Sequence, residues 1–237
     1  MGGRVMQRRH RSILWRGSMS VHSLPTMRIK NRWFKAGGGK DAAEQASAMA
    51  FIVWRVAQNM LKRMRGAQYD IDAGPPYFAF MREVLVFLVA LTDRIAYLRL
   101  TPEKRQEFTV ALVRHVARNL EENELNLLGT PPPGAPAWAD SFIDLVNEIT
   151  PHYSEFGADP VLEPGEAVFH PDFSFVRYLG FRLEPTLPEK DKYWVLDQVM
   201  AIEAPEAIET IQRSMHELHD PTPAEQRKPR RSRLSGD

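Results

Sequence analysis

A chain of 237 residues with 43% apolar side chains can bury a substantial core. The complete lack of cysteine excludes disulfides, thiolate zinc sites, cysteine-ligated iron–sulfur clusters and thiol catalysis. The net charge of +1 conceals a partition: ten Lys/Arg and no Asp/Glu in residues 1–40, five Lys/Arg from Arg227 to Arg233, and 29 Asp/Glu against 16 Lys/Arg from Asp41 to Gln226. Such a partition bears on partners rather than fold, and it names none.

Residues 1–40 are expected to form a flexible basic arm. Its start never develops the apolar stretch of a secretory signal, and the composition is read as cytoplasmic. An Arg-rich, acid-free start also resembles an organellar transit peptide, the alternative reading. Initiation at Met27 would remove five arginines and take the charge from +1 to −4, so residues 1–26 are expected to be disordered or untranslated. Within the arm, Arg28, Lys30, Arg32, Trp33, Phe34 and Lys35 interleave cations with aromatics. These six are the candidate partner-binding residues, and their combination also suits phosphates and bases, or an anionic membrane surface. The acidic body of the same chain is the nearer counter-surface, with Trp33 and Phe34 packing on it. Gly37–Gly38–Gly39–Lys40 is not a phosphate loop, because Phe34 and Asp41 stand where Gly and Ser or Thr are required.

Helical signals then recur without strand signals. Met49, Val53, Trp54, Ala57, Met60, Leu61 and Met64 mark a helix over 41–65, closed by Gly66 as its cap. Residues 77–99 are apolar nearly all round, which predicts the central helix. Their longest uncharged run is nine residues, Val84 to Thr92, against about 20 for a membrane span, so a buried core helix is expected. Thr101–Pro102–Glu103 carries the hydroxyl, proline and acid of a helix start, and Gly129 ends that helix. Its stripe is Phe108, Leu112, either His115 or Val116, and Leu120.

The proline run at 130–136 is the clearest internal boundary. A fourth helix carrying Trp138, Phe142, Leu145, Val146 and Ile149 is expected to break or kink before Pro151. After an irregular stretch over 157–171, Phe173, Val176, Leu179 and Gly180 suggest a short fifth helix. Thr186–Leu187–Pro188–Glu189 reads as a capping box opening a sixth, with Trp194, Val195, Val199 and Ile202 on its stripe. Ala204–Pro205 is expected to break it before a continuation carrying Ile208, Ile211, Met215 and Leu218. The fold predicted is all-α: an irregular bundle of about six helices over 41–220, two halves joined at 130–136, with flexible basic tails at 1–40 and 221–237.

Chemistry-bearing residues are sparse. Glu83 and Asp93 interrupt the apolar second helix and, with His115, are the candidates for a cofactor pocket or a buried polar site. Ferritin-like dimetal chemistry requires Glu-x-x-His motifs, and the sequence contains none. Ion pairing with nearby arginines is the simpler expectation for both acids. His216 and His219 are spaced one residue too closely for His-Glu-x-x-His. No Gly-x-Ser-x-Gly elbow is present. Met49, Met60, Met64 and Met81 are expected to fill the core, an open methionine face for a partner helix being the alternative. No catalytic residue, metal site or cofactor is predicted. The sequence reads as a non-enzymatic protein-binding protein, an adaptor, assembly factor or regulator. A protein partner is favoured over a homo-oligomer, nucleic acid or membrane surface. A helical-bundle enzyme with a cofactor between helices is the alternative, and weak nucleic-acid binding through the arm is the third.

Overall fold

The computed structural model describes residues 41–157 and 169–219. The cationic arm, residues 158–168 and the C-terminal tail lie outside the described residues, and with them the expectations placed on Arg28 to Lys35. The fold is all-helical, with no strand among the described residues. Seven α-helices form six rods: α1 (Ala42–Gly66), α2 (Pro75–Arg99), α3 (Pro102–Leu128), α4 (Trp138–Glu155), α5 (Phe173–Leu183), and α6 (Glu189–Gln198) continued by α7 (Ala204–His219).

Local chemistry sets most of the helix ends. Asp41 accepts from the Ala43 N–H at the start of α1, and Thr101 Oγ1 accepts from the Lys104 N–H at the start of α3. Such caps occupy donors with no intrahelical partner. Pro75 and Pro76 open α2, where a missing N–H costs nothing. Gly129 closes α3 at φ +81°, a conformation that side chains resist.

Four expectations about helix ends need correction. Gly66 is the last residue of α1 rather than its cap, and the left-handed position falls on Gln68, at φ +70°. The α4 helix runs through Pro151, where the Thr150 hydroxyl donates to the Val146 carbonyl at 2.6 Å. The capping box before α6 does not form: Thr186 Oγ1 donates back to the Leu183 carbonyl at the 3-10 turn Glu184–Thr186. Pro205 does not break the last rod. A π-helical turn, Val199–Glu203, lets the Ala204 N–H reach back to Val199 O, and Pro205 then sits in the first turn of α7. Widening the helix by one residue accommodates a ring that would otherwise clash with the turn before it.

The α2 helix is central, packing against α1, α3, α4, α5 and α7. Every residue from Val84 to Thr92 is buried, and the Thr92 hydroxyl, the single polar side chain in that run, donates to the Leu88 carbonyl at 2.7 Å. No helix among the described residues is long and apolar enough to cross a membrane. Around α2 one apolar cluster extends from Ala42 to Leu218. Met49, Met60, Met64 and Met81 are all fully buried in it, as core fillers. On α3, Phe108, Leu112, Val116 and Leu120 form the inward stripe, leaving His115 half-buried beside it. At the other end, α5 and α6 approach so closely that a Cβ on Gly180 would lie 2.6 Å from Leu196 Cδ1 and 3.3 Å from its Cα.

Three predicted stripe positions turn out differently. Phe173, Trp194 and Ile202 are exposed, while Phe175, Val195 and Val199 carry the contact with the core.

Candidate functional site

The two acids of α2 are both held by arginine, from opposite directions. Glu83 receives Arg182 of α5 through two bonds, Nε at 2.9 Å and Nη2 at 2.6 Å. Asp93 receives Arg105 of α3 through Nε at 2.9 Å and through Nη2, and also the Thr109 hydroxyl at 2.6 Å. The fork geometry of arginine makes such two-point pairs strong and orientation-specific. Ion pairing is therefore the state of both acids. Their partners are not the arginines adjacent in sequence: Arg82 pairs with Glu124 of α3, and Arg94 donates to the Ser154 and Phe156 carbonyls at 3.2 Å each.

Glu83, Asp93 and His115 do not converge. Ten residues of helix separate the acids, roughly 15 Å at 1.5 Å per residue. His115 lines a shallow groove on the outer side of α3 with Glu103, Glu107 and Arg118. No group of three His, Asp or Glu side chains among the described residues is arranged to hold a metal ion.

Asp93 does stand in the wall of a cleft between α2, α3 and α4, with a volume of about 810 Å³. Its body is apolar, built from residues such as Val89, Val113, Ile143 and Val146. Arg94, Arg105 and Arg114 supply cations, and Asn147 and Thr150 supply neutral polar groups. Arg105 lies over the Tyr97 ring, 4.9 Å from its centroid, and Arg94 over Phe169 at 4.8 Å. Hydrogen bonding to Asp93 raises the Arg105 pKa, against the smaller opposing effect of burial. Tyr153, 1% exposed, is among the lining residues; burial, reinforced by Glu83, which is not in the cleft, pushes its pKa well above the usual value. It is a neutral wall at physiological pH rather than a base. With both oxygens of Asp93 occupied by donors, the cleft offers binding surface and positive charge but no poised proton acceptor.

A second feature lies on α5 and α6. Tyr153 packs against Phe175 at 4.8 Å and edge-on against Tyr178 at 5.1 Å, and Tyr178 stacks on Phe181 at 6.3 Å. This aromatic chain leads out of the core, since Phe181 is 61% exposed. Phe173, Tyr193 and Trp194 are exposed at 67%, 74% and 66%. Together these make four of the five large hydrophobic side chains exposed beyond 60% among the described residues, Tyr97 beside the cleft being the fifth.

Arg105, Thr109 and Arg182 were not singled out from sequence, and Arg114, expected among the arginines that could pair with these acids, pairs with neither. Arg105 had a readable signal, because a two-residue link between α2 and α3 folds the helices back and brings residues 12 apart together. Arg182 lies 99 residues from Glu83, and no local pattern could pair them. Comparison of the chain with family models, with curated proteins and with solved structures gave no match.

Proposed function

We propose that this chain is a non-catalytic protein-binding protein that engages its partner through the aromatic face of α5 and α6. The observation carrying the reading is the concentration of Phe173, Phe181, Tyr193 and Trp194 on two consecutive helices, each more than 60% exposed. Scattered exposed hydrophobics are ordinary on a surface, but aromatic side chains gathered on one region are the usual anchors of protein interfaces. Rigidity favours the same region. Arg182 ties α5 to α2 through Glu83, and Gly180 seats α5 directly on Leu196 of α6, so the aromatics project from a fixed base.

A photo-crosslinking residue at position 194, compared with one at exposed Glu122 on α3, tests the reading in cells that express the chain natively. The expected result is a protein adduct formed from position 194 and not from position 122. No adduct, or equal adducts from both positions, counts against it.

A further inference from the structure

The cleft between α2, α3 and α4 takes no part in that reading, and its chemistry is specific. Its volume of about 810 Å³ lies within the roughly 300–1,000 Å³ of small-molecule sites. Each of its three helices contributes apolar wall: Val89 and Ala90, Val110 and Val113, Ile143 and Val146. Its charges do not balance, because the lining holds Arg94, Arg105 and Arg114 against one carboxylate, Asp93. Asp93 is spent on Arg105 and Thr109. The bonds of Arg94 to two main-chain carbonyls do not neutralise it. Arg114 is exposed and makes no ion pair or hydrogen bond among the described residues. Arg114 also lines the adjoining groove on α3, together with Glu103, Glu107, His115 and Arg118, and makes no ion pair with either glutamate.

We propose that the cleft binds a single-chain amphipathic carboxylate, with its hydrocarbon body between the valine and isoleucine walls and its head on Arg114. A guanidinium at the mouth of an apolar cleft meets a carboxylate with two parallel bonds, whereas a cation is repelled and a neutral head gains no charge-assisted bond. Asn147 and Thr150 supply further polar groups in the same lining. The apolar walls set a length dependence, since each additional buried methylene raises affinity about three- to fourfold.

Calorimetric titration of the full-length chain with octanoate, decanoate, 1-decanol and decyltrimethylammonium tests the assignment. One-to-one binding is expected to strengthen from octanoate to decanoate, with the alcohol and the cation at least about tenfold weaker than decanoate. Arg114→Ala should weaken decanoate about tenfold and leave decanol unchanged, while Val113→Trp should abolish binding of both by filling the cleft. Equal affinity for the three ten-carbon probes, or undiminished decanoate binding by Arg114→Ala, overturns the proposal. So does unchanged binding by a Val113→Trp chain whose circular dichroism is native. If that variant fails to fold, Arg114→Ala decides alone, since it alters an exposed side chain.

Discussion

The middle of α2 and the outer face of α5 and α6 use similar side chains to opposite ends. Phe80 and Phe87 are fully buried, while Phe173 and Phe181 are more than 60% exposed. The α2 segment is surrounded by five helices and has no solvent side, so every apolar residue in it reduces contact with water. By contrast, α5, α6 and the π turn pack largely on one another, α5 alone of the three packing substantially on α2 and the π turn also on α7, and each keeps an exposed hydrophobic side chain. Aromatic residues on that face bury less of their surface in the isolated fold than those of α2. The difference teaches that an apolar side chain here contributes to stability in one region and stays in contact with solvent in the other.

Four measurements would break or sharpen this contrast. The largest effect is expected for Phe87→Ala, which empties a fully buried site touching Tyr153 and Phe175; a loss of about 3–5 kcal/mol in chemical denaturation is predicted. A loss below about 1 kcal/mol would mean that the centre of α2 is not close-packed. Arg182→Ala should follow, because it strands Glu83 at the junction of the two regions. Removing one partner of a fully buried pair costs about 3–5 kcal/mol, and the 25% exposure of Arg182 lowers the expectation to about 1–3 kcal/mol. Unfolding by urea would measure it, and a change under about 0.5 kcal/mol would show that the pair does not anchor α5.

The third concerns Glu124, buried at 1% exposure, whose Oε2 has no hydrogen-bond partner although Oε1 accepts from Arg82 twice. Burial raises its pKa above the usual 4.5, with Arg82 opposing. A raised carboxyl pKa means that the fold favours the protonated form. Its contribution is fully present below about pH 4.5 and is lost as pH rises through the folded-state value. Glu124→Gln should remove that slope, so the stability difference between variant and parent should shift in favour of the variant as pH rises from about 4.5. Arg82 stays charged throughout, and its attraction for the ionised carboxylate narrows the rise without reversing it. A difference independent of pH would show that Glu124 is not desolvated in solution.

The smallest effect is expected from Tyr193→Ala with Trp194→Ala, within about 0.5 kcal/mol per site, because both side chains are mostly exposed. A thermal shift large enough to imply 2 kcal/mol or more would assign these residues to the stability of the fold and remove them from the interface.

Much of the architecture could be read before folding. The starts at Asp41, Thr101 and Pro102, the stop at Gly129 and the periodic stripes of α1 and α3 are signals that act within one or two turns. At two prolines local reading failed. It expected a break or kink at Pro151 and a break at Pro205, whereas both rods run on through their prolines, with Val146, Ile149 and Tyr153 buried beside the one and Val199 and Ile211 beside the other. Of the candidate site, only the pairing of Asp93 and Glu83 with arginine was legible. The identity of Arg105 and Arg182 was not, nor was the cleft.

The sequence by itself determined that this is an all-helical chain centred on α2, because helix caps, periodicity and an uninterrupted apolar run depend on residues close together along the backbone. Only the tertiary structure decided which arginine meets which acid, that α2, α3 and α4 leave an arginine-rimmed cleft between them, and which aromatics remain outside. Those outcomes depend on the spacing and rotation of helices brought together from distant parts of the chain. A stripe such as Trp194, Val195, Val199 and Ile202 fixes a helix but not its rotation, and burial of Val195 and Val199 turns Trp194 outward.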